Sequence, residues 1–186
     1  MKVGTDGVLL GAWAEVRPGD RRMLDVGTGT GLIALMLAQR SAARITAVDV
    51  DAECATQAAE NFAASPWADR LDAVAVAVQR YDPVERFDLI VSNPPYIPTD
   101  VIPQLMPEVQ VFEPIEALDG KEDGLYFYRK IVEQSKDYLN CGGSLMFEIG
   151  YDQGKDVSKM MTDAGFSDVC VKKDLAGNDR VVTGML

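Results

Sequence analysis

An apolar strand pattern that runs directly into alternating glycines is the feature that most restricts the fold of this 186-residue chain. The pattern at residues 23–26 is followed by Gly27, Gly29 and Gly31, and then by a helical pattern that continues to Arg40. Glycines permit a tight turn and close approach of the backbone to a ligand, and the next helix presents free N–H groups at its N terminus. The Gly-x-Gly-x-Gly spacing departs from the Gly-x-Gly-x-x-Gly fingerprint, which disfavours a dinucleotide oxidoreductase.

A second strand pattern at residues 44–49 follows this helix and ends in Asp49. Its carboxylate lies about twenty residues beyond the glycines, where an acid can hold the hydroxyls of a ribose. Asp49 could instead be a solvated strand end or the N-cap of the following helix, although Asp51 fits the cap position better. We predict that Asp49 binds a ribose.

The most informative segment for chemistry is Asn93-Pro94-Pro95-Tyr96, which directly follows the apolar strand pattern 87–92. Two consecutive prolines make a stiff, extended loop. The Asn93 side-chain oxygen and the Pro94 carbonyl could accept both N–H bonds of a planar NH2 group, with Tyr96 against its plane. Such a nitrogen needs positioning more than a strong base. The chain contains no histidine, which excludes Ser-His and Cys-His catalysis. Asn-Pro is also an ordinary turn starter, so a structural role is the alternative.

Strand and helix patterns alternate along the chain without a repeat or a low-complexity linker, and this alternation predicts a doubly wound α/β fold. We expect one domain over residues 1–186, with a Rossmann-like, seven-stranded, mostly parallel sheet and helices on both faces. The predicted strands are 22–26, 44–49, 71–78, 87–92, 143–149, 168–173 and 180–185, and the predicted helices are 6–15, 30–40, 51–64, 123–139 and 153–164. Residues 97–122 are predicted to form a long loop, which in a compact domain is usually functional. The carboxyl ends of strands one, two and four should meet at one cleft.

Composition restricts the partners and the location of the protein. Lys and Arg number 18 against 29 Asp and Glu, a net charge of −11, so a phosphate backbone is repelled unless basic residues cluster. The sequence shows no stretch long enough to cross a membrane and no signal-peptide form at its start, which predicts a cytoplasmic protein. Cys54, Cys141 and Cys170 lack metal-binding spacing, so we expect no metal and treat them as small buried residues.

Together the glycine loop, the acid at the end of the second strand and Asn93-Pro94-Pro95-Tyr96 resemble the class I S-adenosylmethionine-dependent methyltransferases, in the branch that methylates planar nitrogens. The resemblance covers essentially the whole chain. It implies S-adenosyl-L-methionine as cofactor and S-adenosyl-L-homocysteine as product. It also implies that the four residues Asn93, Pro94, Pro95 and Tyr96 form the catalytic loop. The cofactor-binding residues that it implies are Thr5, Asp6, Asp25, Gly27, Thr28, Gly29, Thr30, Gly31, Asp49, Val50, Ala77, Val78 and Asn93.

Two parts of the chain resemble different members of this family. Residues 2–14, 34–40 and 65–70 look like the transfer-RNA adenine-N6 methyltransferases. Several later segments resemble the HemK-type glutamine-N5 methyltransferases, which act on the Gly-Gly-Gln motif of peptide release factors; they are residues 93–98, 112–114, 119–125, 148–154 and 174–182. A junction near residues 70–87 would explain both resemblances. The hypothesis is therefore a recombined or engineered chimera, and the alternative is a natural relative with features of both.

Two departures from the family pattern bear on activity. The HemK-type enzymes carry a helical domain before the catalytic core, and we expect residues 1–186 not to contain it. Members also place an acid at the end of strand three for the cofactor adenine, where this chain offers Ala77, with Asp82 as a possible substitute if the loop bends back. At the junction, we expect Leu24 and Val26 of strand one to pack against Leu89 and Val91 of strand four.

The resemblance implies methylation of a glutamine side-chain amide, with the Gly-Gly-Gln loop of a peptide release factor as partner. Adenine-N6 methylation of transfer RNA is the runner-up, because the same loop can hold either NH2 group. A third hypothesis is a folded scaffold that binds the cofactor without turnover. No membrane and no metal partner is expected.

Overall fold

The structure, a computed structural model, describes the backbone of residues 5–186 and the side chains from residue 7 onward. Seven α-helices and seven strands lie in this described part of the chain. The helices are α1 Thr5–Trp13, α2 Leu32–Arg40, α3 Ala52–Ala63, α4 Pro107–Phe112, α5 Ile115–Leu118, α6 Tyr126–Tyr138 and α7 Gly154–Asp163. The strands are β1 Arg22–Val26, β2 Arg44–Asp49, β3 Leu71–Ala75, β4 Phe87–Ser92, β5 Leu139–Glu148, β6 Ser167–Lys173 and β7 Asp179–Met185.

The strands form a seven-stranded sheet in the order β3-β2-β1-β4-β5-β7-β6. Strands β1 to β5 are parallel, whereas β7 is antiparallel to both β5 and β6. The chain crosses from β3 back to the centre of the sheet to form β4 beside β1, which makes the junction of these two strands the topological switch point. Ligands of such folds bind outside the carboxyl ends of the strands at this point.

Each face of the sheet carries its own apolar cluster. Residues from α1, α2 and α3 pack on one face against Met23, Leu89 and neighbouring strand residues. Residues from α6 and α7 pack on the other face against Leu24, Ile90 and Phe147. The predicted doubly wound α/β fold with a mostly parallel seven-stranded sheet is therefore confirmed.

The expected packing between β1 and β4 was wrong in its details. Leu24 lies in register with Ile90, and Met23 with Leu89, so in-register residues of the parallel strands point to the same face. Leu24 therefore packs with Ile90 in the cluster under α6 and α7, while Leu89 belongs to the opposite cluster with Met23. A one-residue error in register moves every side chain to the other face.

Several predicted boundaries also differ from the structure. Strand β3 ends at Ala75 rather than residue 78, because residues 78–80 turn into a 3-10 helix. Strand β5 begins at Leu139, four residues before the predicted start, and it accommodates Gly142 at φ 77° beside a register shift against β4. Helix α6 begins at Tyr126 rather than 123. The segment 97–122 contains α4, α5 and a 3-10 turn at 102–104 instead of a plain loop.

The cysteines do not lie in the core as expected. Cys141 and Cys170 are exposed, and Cys54 is half-buried near the start of α3. In the part of the chain that the structure describes, no helix has the length and apolar character needed to span a bilayer.

Candidate functional site

The glycine loop between β1 and α2 depends on backbone conformations that favour glycine. Gly27, Gly29 and Gly31 all have positive φ angles, of 72°, 56° and 80°. At Gly31 an added Cβ would also lie 2.5 Å from Cε1 of Phe62, so both conformation and space require glycine there. The loop is tied to β2 by the N–H groups of Gly27 and Thr28, which donate to the Val48 carbonyl at 2.9 and 3.2 Å.

Asp25 lies beneath this loop on β1 and is fully buried. Its Oδ2 accepts hydrogen bonds from the Thr28 hydroxyl at 2.7 Å and from the Ala34 N–H at 3.2 Å. Its Oδ1 has no hydrogen-bond partner among the described residues. Burial raises the pKa of Asp25 to about 6, against the lowering effect of the Thr28 and Ala34 hydrogen bonds and with a further rise from the charge of Asp49. A buried oxygen without a partner can accept a hydrogen bond from a ligand.

Asp49 at the end of β2 is held over the same loop. Its Oδ2 accepts from the Gly29 N–H at 2.8 Å, and its Oδ1 accepts from the Asp51 N–H at 3.0 Å. Asp51 itself caps α3, because its side chain accepts from the Glu53 N–H at 2.8 Å, which confirms the cap prediction. A ribose diol would therefore meet a carboxylate whose orientation is already fixed by backbone donors.

The residues after β3 reach the same edge of the sheet. The Val76 N–H donates to the Asp49 carbonyl at 2.8 Å, so Ala77 and Val78 follow directly beside the end of β2. The Tyr138 hydroxyl holds this turn by donating to the Val78 carbonyl at 2.9 Å. Val50, which follows Asp49, is 80% exposed, so its side chain is available to a ligand rather than to the core.

Asn93 lies at the switch point between β1 and β4. Val26 and Ser92 are in register, and the Ser92 hydroxyl donates to the Val26 carbonyl at 2.8 Å, which joins the two strand ends just before the glycine loop and the proline loop diverge. A Cβ built on Gly7 of α1 would come within 4.0 Å of Asn93 Nδ2 and 3.9 Å of Leu32 Cδ2. Asn93 is half-buried, and its side-chain amide lies close to Gly7 of α1.

The backbone of Tyr96 is held by Gln153, a residue that was not predicted to belong to the site. The side-chain amide of Gln153, which is only 8% exposed, donates to the Tyr96 carbonyl at 3.0 Å and to the Gly124 carbonyl at 3.3 Å. Its Oε1 accepts from the Gly150 N–H at 3.0 Å. The sequence signal was its place in the segment 148–154, which resembles the HemK-type enzymes but gives Gln153 no role of its own.

Beyond Tyr96 the chain makes an excursion whose two ends are fastened together, which we call the 98–118 excursion. The Ile97 N–H donates to the Leu118 carbonyl at 3.0 Å, and the Gly120 N–H donates to the Ile97 carbonyl at 2.8 Å. Hydrogen bonds from Lys121 and Thr99 lower the pKa of Asp119 to about 2, so the end of the excursion carries a carboxylate. Four large apolar side chains of the excursion are between 59% and 72% exposed: Met106, Val111, Phe112 and Ile115.

The structure thus brings most of the predicted site residues to one edge of the sheet. Asp25, the glycine loop 27–31, Asp49 and Asn93 lie at the carboxyl ends of β1, β2 and β4, with residues 77–78 beside them. The side chains of Thr5 and Asp6 lie outside the described residues. The binding roles of all these residues remain predictions. No group of three or more potential metal-ligating side chains was found among the residues that the structure describes.

Comparison with curated proteins finds relatives of two kinds. A release factor glutamine methyltransferase from Clostridium botulinum is 42% identical over 165 residues, which is 87% of this chain and 58% of that protein. A tRNA1(Val) (adenine(37)-N6)-methyltransferase from Bacteroides thetaiotaomicron is 60% identical over 98 residues, which is 52% of this chain and 41% of that protein. Both resemblances seen in the sequence are therefore confirmed, and the chain spans well under two thirds of either relative's length.

Comparison with solved structures and family models agrees with the fold. A SAM-dependent O-methyltransferase from Thermotoga maritima superposes with a TM-score of 0.69 at 14% identity, covering 100% of this chain and 66% of that one. The family model described as the methyltransferase small domain matches residues 7–105, which is more than half of the chain. The chain therefore belongs to the methyltransferase small-domain family.

Proposed function

We propose that this protein binds S-adenosyl-L-methionine and methylates the side-chain amide of a glutamine in the Gly-Gly-Gln loop of a peptide release factor. The observation that carries the proposal is the position of Asn93. It follows Ser92, which lies in register with Val26, the residue that precedes the glycine loop, so the two loops begin side by side at the switch point of the sheet. A planar NH2 group held by Asn93 and the Pro94 carbonyl would therefore lie next to a ligand on the glycine loop.

The residues at the cofactor side fit a ligand that carries both a cation and a ribose. The unpartnered Oδ1 of buried Asp25 can accept a hydrogen bond from an ammonium group, and a nearby cation would favour its charged form. Asp49, fixed by the N–H groups of Gly29 and Asp51, can accept from ribose hydroxyls. A Cβ built on Gly27 would meet nothing within 4 Å, so the backbone there is open to the close approach of a ligand.

The catalytic side would act by positioning. S-adenosylmethionine supplies an electrophilic methyl group on a sulfonium. Asn93 and the Pro94 carbonyl would hold the two N–H bonds of the target, so that the nitrogen lone pair faces the methyl group. Tyr96 would lie against the plane of the amide. The nitrogen becomes acidic as it gains the methyl group and loses its proton to water, so the absence of histidine from the chain is no obstacle.

The surface beside Tyr96 favours a protein substrate over RNA. No lysine or arginine occurs between residues 87 and 120, and the 98–118 excursion carries the acids Asp100, Glu108, Glu113 and Glu116. Its four exposed apolar side chains would be costly to bury against phosphates but suit a protein surface. An RNA backbone would meet negative charge where it approached the target loop. The relatives that align with most of the chain are also release factor glutamine methyltransferases.

Adenine-N6 methylation of a transfer RNA is the second candidate, and it rests on the 60% identity to a tRNA1(Val) methyltransferase over 98 residues. The two candidates are separated by incubating the chain with S-adenosylmethionine and either a full-length release factor or tRNA1(Val). Mass spectrometry of the digested products then locates the methyl group. A methyl group on the glutamine side chain of the Gly-Gly-Gln loop supports the proposal. Methyladenosine in the RNA would overturn it in favour of the second candidate. Cofactor binding without either product would favour a scaffold that does not turn over.

A further inference from the structure

Gln153 is the residue directly before α7, and it is not among the residues assigned above to the cofactor or the target. Its side-chain NH2 donates both N–H groups, one to the Tyr96 carbonyl and one to the Gly124 carbonyl, at 3.0 and 3.3 Å. Its oxygen accepts from the Gly150 N–H at 3.0 Å. The opposite orientation of the amide would place its oxygen against two carbonyl oxygens, so the surrounding groups determine this orientation. One buried side chain thus joins three separate segments.

Three glycines surround the backbone of Tyr96 at the same place. A Cβ on Gly120 would lie 2.8 Å from the carbonyl carbon of Tyr96, and one on Gly124 would overlap the Tyr96 carbonyl oxygen. A Cβ on Gly150 would lie 2.9 Å from Gln153 Oε1 and 3.3 Å from Cδ2 of the Tyr96 ring. The segments that carry these glycines therefore pack directly on Tyr96, and the side-chain amide of Gln153 hydrogen-bonds to Tyr96, Gly124 and Gly150.

We propose that Gln153 is a positioning residue for methyl transfer, which fixes the carbonyl and ring of Tyr96 and thereby the plane in which the target amide is held. This inference rests on the proposed function. Two prolines stiffen the start of the loop, but Tyr96 follows them, and its carbonyl is fastened by Gln153. Gln153 acts on the target side of the site, so its loss should lower kcat and leave cofactor affinity unchanged.

The variants Gln153→Met and Gln153→Glu test this role. Methionine keeps the length and removes all three hydrogen bonds, whereas glutamate keeps an acceptor for the Gly150 N–H but directs a negative oxygen at two carbonyl oxygens. We expect kcat on the release factor to fall by about 10- to 100-fold in both, as for small displacements of a bound reactant. The dissociation constant for S-adenosylmethionine, measured by calorimetry, should stay within about twofold of wild type. Gln39→Met on the exposed end of α2 is the matched control and should change neither value.

The pH profile separates this role from a general loss of stability. A protonated carboxyl group can donate one hydrogen bond, so the activity of Gln153→Glu relative to wild type should recover as the pH is lowered. The activity of Gln153→Met relative to wild type should stay level with pH. Full kcat in both variants, or a weakened cofactor affinity equal to the loss of rate, would overturn the inference.

Hydrogen exchange provides a readout that does not need turnover. Amide exchange in peptides covering residues 92–97 and 120–126 should rise in Gln153→Met, while the peptide covering the glycine loop stays unchanged. Absence of that local rise would overturn the positioning role even if kcat fell. If the wild-type protein methylates no release factor, the proposed function fails, whereas the exchange data still decide whether Gln153 holds Tyr96.

Discussion

Replacement of Asp25 by asparagine should stabilise the cofactor-free protein at neutral pH while weakening its cofactor site. Asp25 is fully buried, and burial raises its pKa from 3.8 to about 6 despite the hydrogen bonds from Thr28 and Ala34. The carboxylate form is therefore costly in the folded protein. Asparagine has the same shape and no charge, and its oxygen can still accept from Thr28 and Ala34.

The direction of the pH effect follows from which state binds the proton more tightly. The folded-state pKa of Asp25 lies above the unfolded value, so the contribution of this group to the free energy of unfolding is greatest below pH 3.8. This contribution decreases as the pH rises from 3.8 to about 6, and above pH 6 it no longer changes. A shift of about two units corresponds to about 3 kcal/mol, of which about 2 kcal/mol is lost between pH 4.5 and 7.5.

The assay is urea unfolding followed by tryptophan fluorescence, since Trp13 and Trp67 both pack against the core. The free energy of unfolding of Asp25→Asn minus that of wild type should become more positive by about 2 kcal/mol from pH 4.5 to pH 7.5. Any constant cost of the asparagine NH2 group cancels in this comparison. Asp72→Asn on exposed β3 controls for the removal of one negative charge and should show a much smaller change.

A pH-independent difference between Asp25→Asn and wild type would refute the reasoning, because it would mean that the carboxyl is not costly when charged. Cofactor binding gives an independent check. A cationic ligand beside Asp25 lowers its pKa, so the affinity of wild type for S-adenosylmethionine should increase as the pH rises through about 6. Asp25→Asn should bind more weakly and lose that pH dependence. The loss of folding stability caused by the buried Asp25 carboxylate would then be the consequence of keeping a binding site for a cation in the cofactor-free protein.

Four further predictions concern other parts of the site. Asp49→Ala should weaken S-adenosylmethionine binding by roughly ten- to hundred-fold in calorimetry, since a carboxylate hydrogen-bonded to a diol contributes on the order of 1.5–3 kcal/mol; an unchanged titration curve would remove Asp49 from the site. Asn93→Ala should abolish methyl transfer while the circular dichroism spectrum stays that of wild type, and retained activity would exclude the planar-nitrogen mechanism. Gly31→Ala should lower the free energy of unfolding by about 1–3 kcal/mol, because alanine meets both the φ of 80° and the Phe62 ring; a neutral result would show that the loop relaxes freely. We propose that residues 1–186 form one domain, so thermal unfolding should be a single transition that S-adenosylmethionine shifts upward, and two separate transitions would contradict this.

The sequence predicted those parts of the fold that local patterns determine. β1, β2 and β4 have the predicted bounds because each is a short apolar run between clear turn signals. The β-strand pattern at residues 71–78 was misleading, because apolar residues continue past Ala75 into a 3-10 turn that the Tyr138 hydroxyl holds from a distant helix. The α4 and α5 helices were missed for the opposite reason: six and four residues are too few for a periodic pattern.

The same division holds at the candidate site. The positions of Asp49 and Asn93 at the carboxyl edge of the sheet could be predicted, because one is the last residue of a parallel strand and the other directly follows one. The role of Gln153 could not be derived from the sequence, since its partners are carbonyl oxygens 29 and 57 residues away along the chain. The raised pKa of Asp25 likewise depends on burial by elements that are distant in sequence. A residue that contributes only its backbone to a contact can be of almost any type, so the sequence does not reveal the contact.

Contacts to backbone groups also help to explain how segments that resemble two different families can pack in one sheet. Asp88 of β4 accepts from the N–H groups of Arg21 and Arg22 at 2.7 and 3.1 Å, and Arg17 donates to the Asp88 and Gly142 carbonyls at 3.2 and 2.9 Å. In each contact one side is a backbone group, which any residue at that position would supply. The Ser92 hydroxyl reaches the Val26 carbonyl in the same way.

Ion pairs between side chains of the two parts of the chain, before and after residues 70–87, contribute less to stability than these backbone contacts. Lys172 pairs with Glu15, but Glu15 is 64% exposed, and exposed ion pairs contribute little to stability. The apolar pairs between β1 and β4, Met23 with Leu89 and Leu24 with Ile90, tolerate exchange among residues of similar size, provided that the register is kept. A change of parental sequence between residues 70 and 87 would therefore preserve the polar contacts across the sheet without matched substitutions. The hypothesis of a junction in this segment therefore requires that the register of β1 against β4 is kept and that the side chains of Arg17, Asp88 and Ser92 are present, whereas their partners are backbone groups.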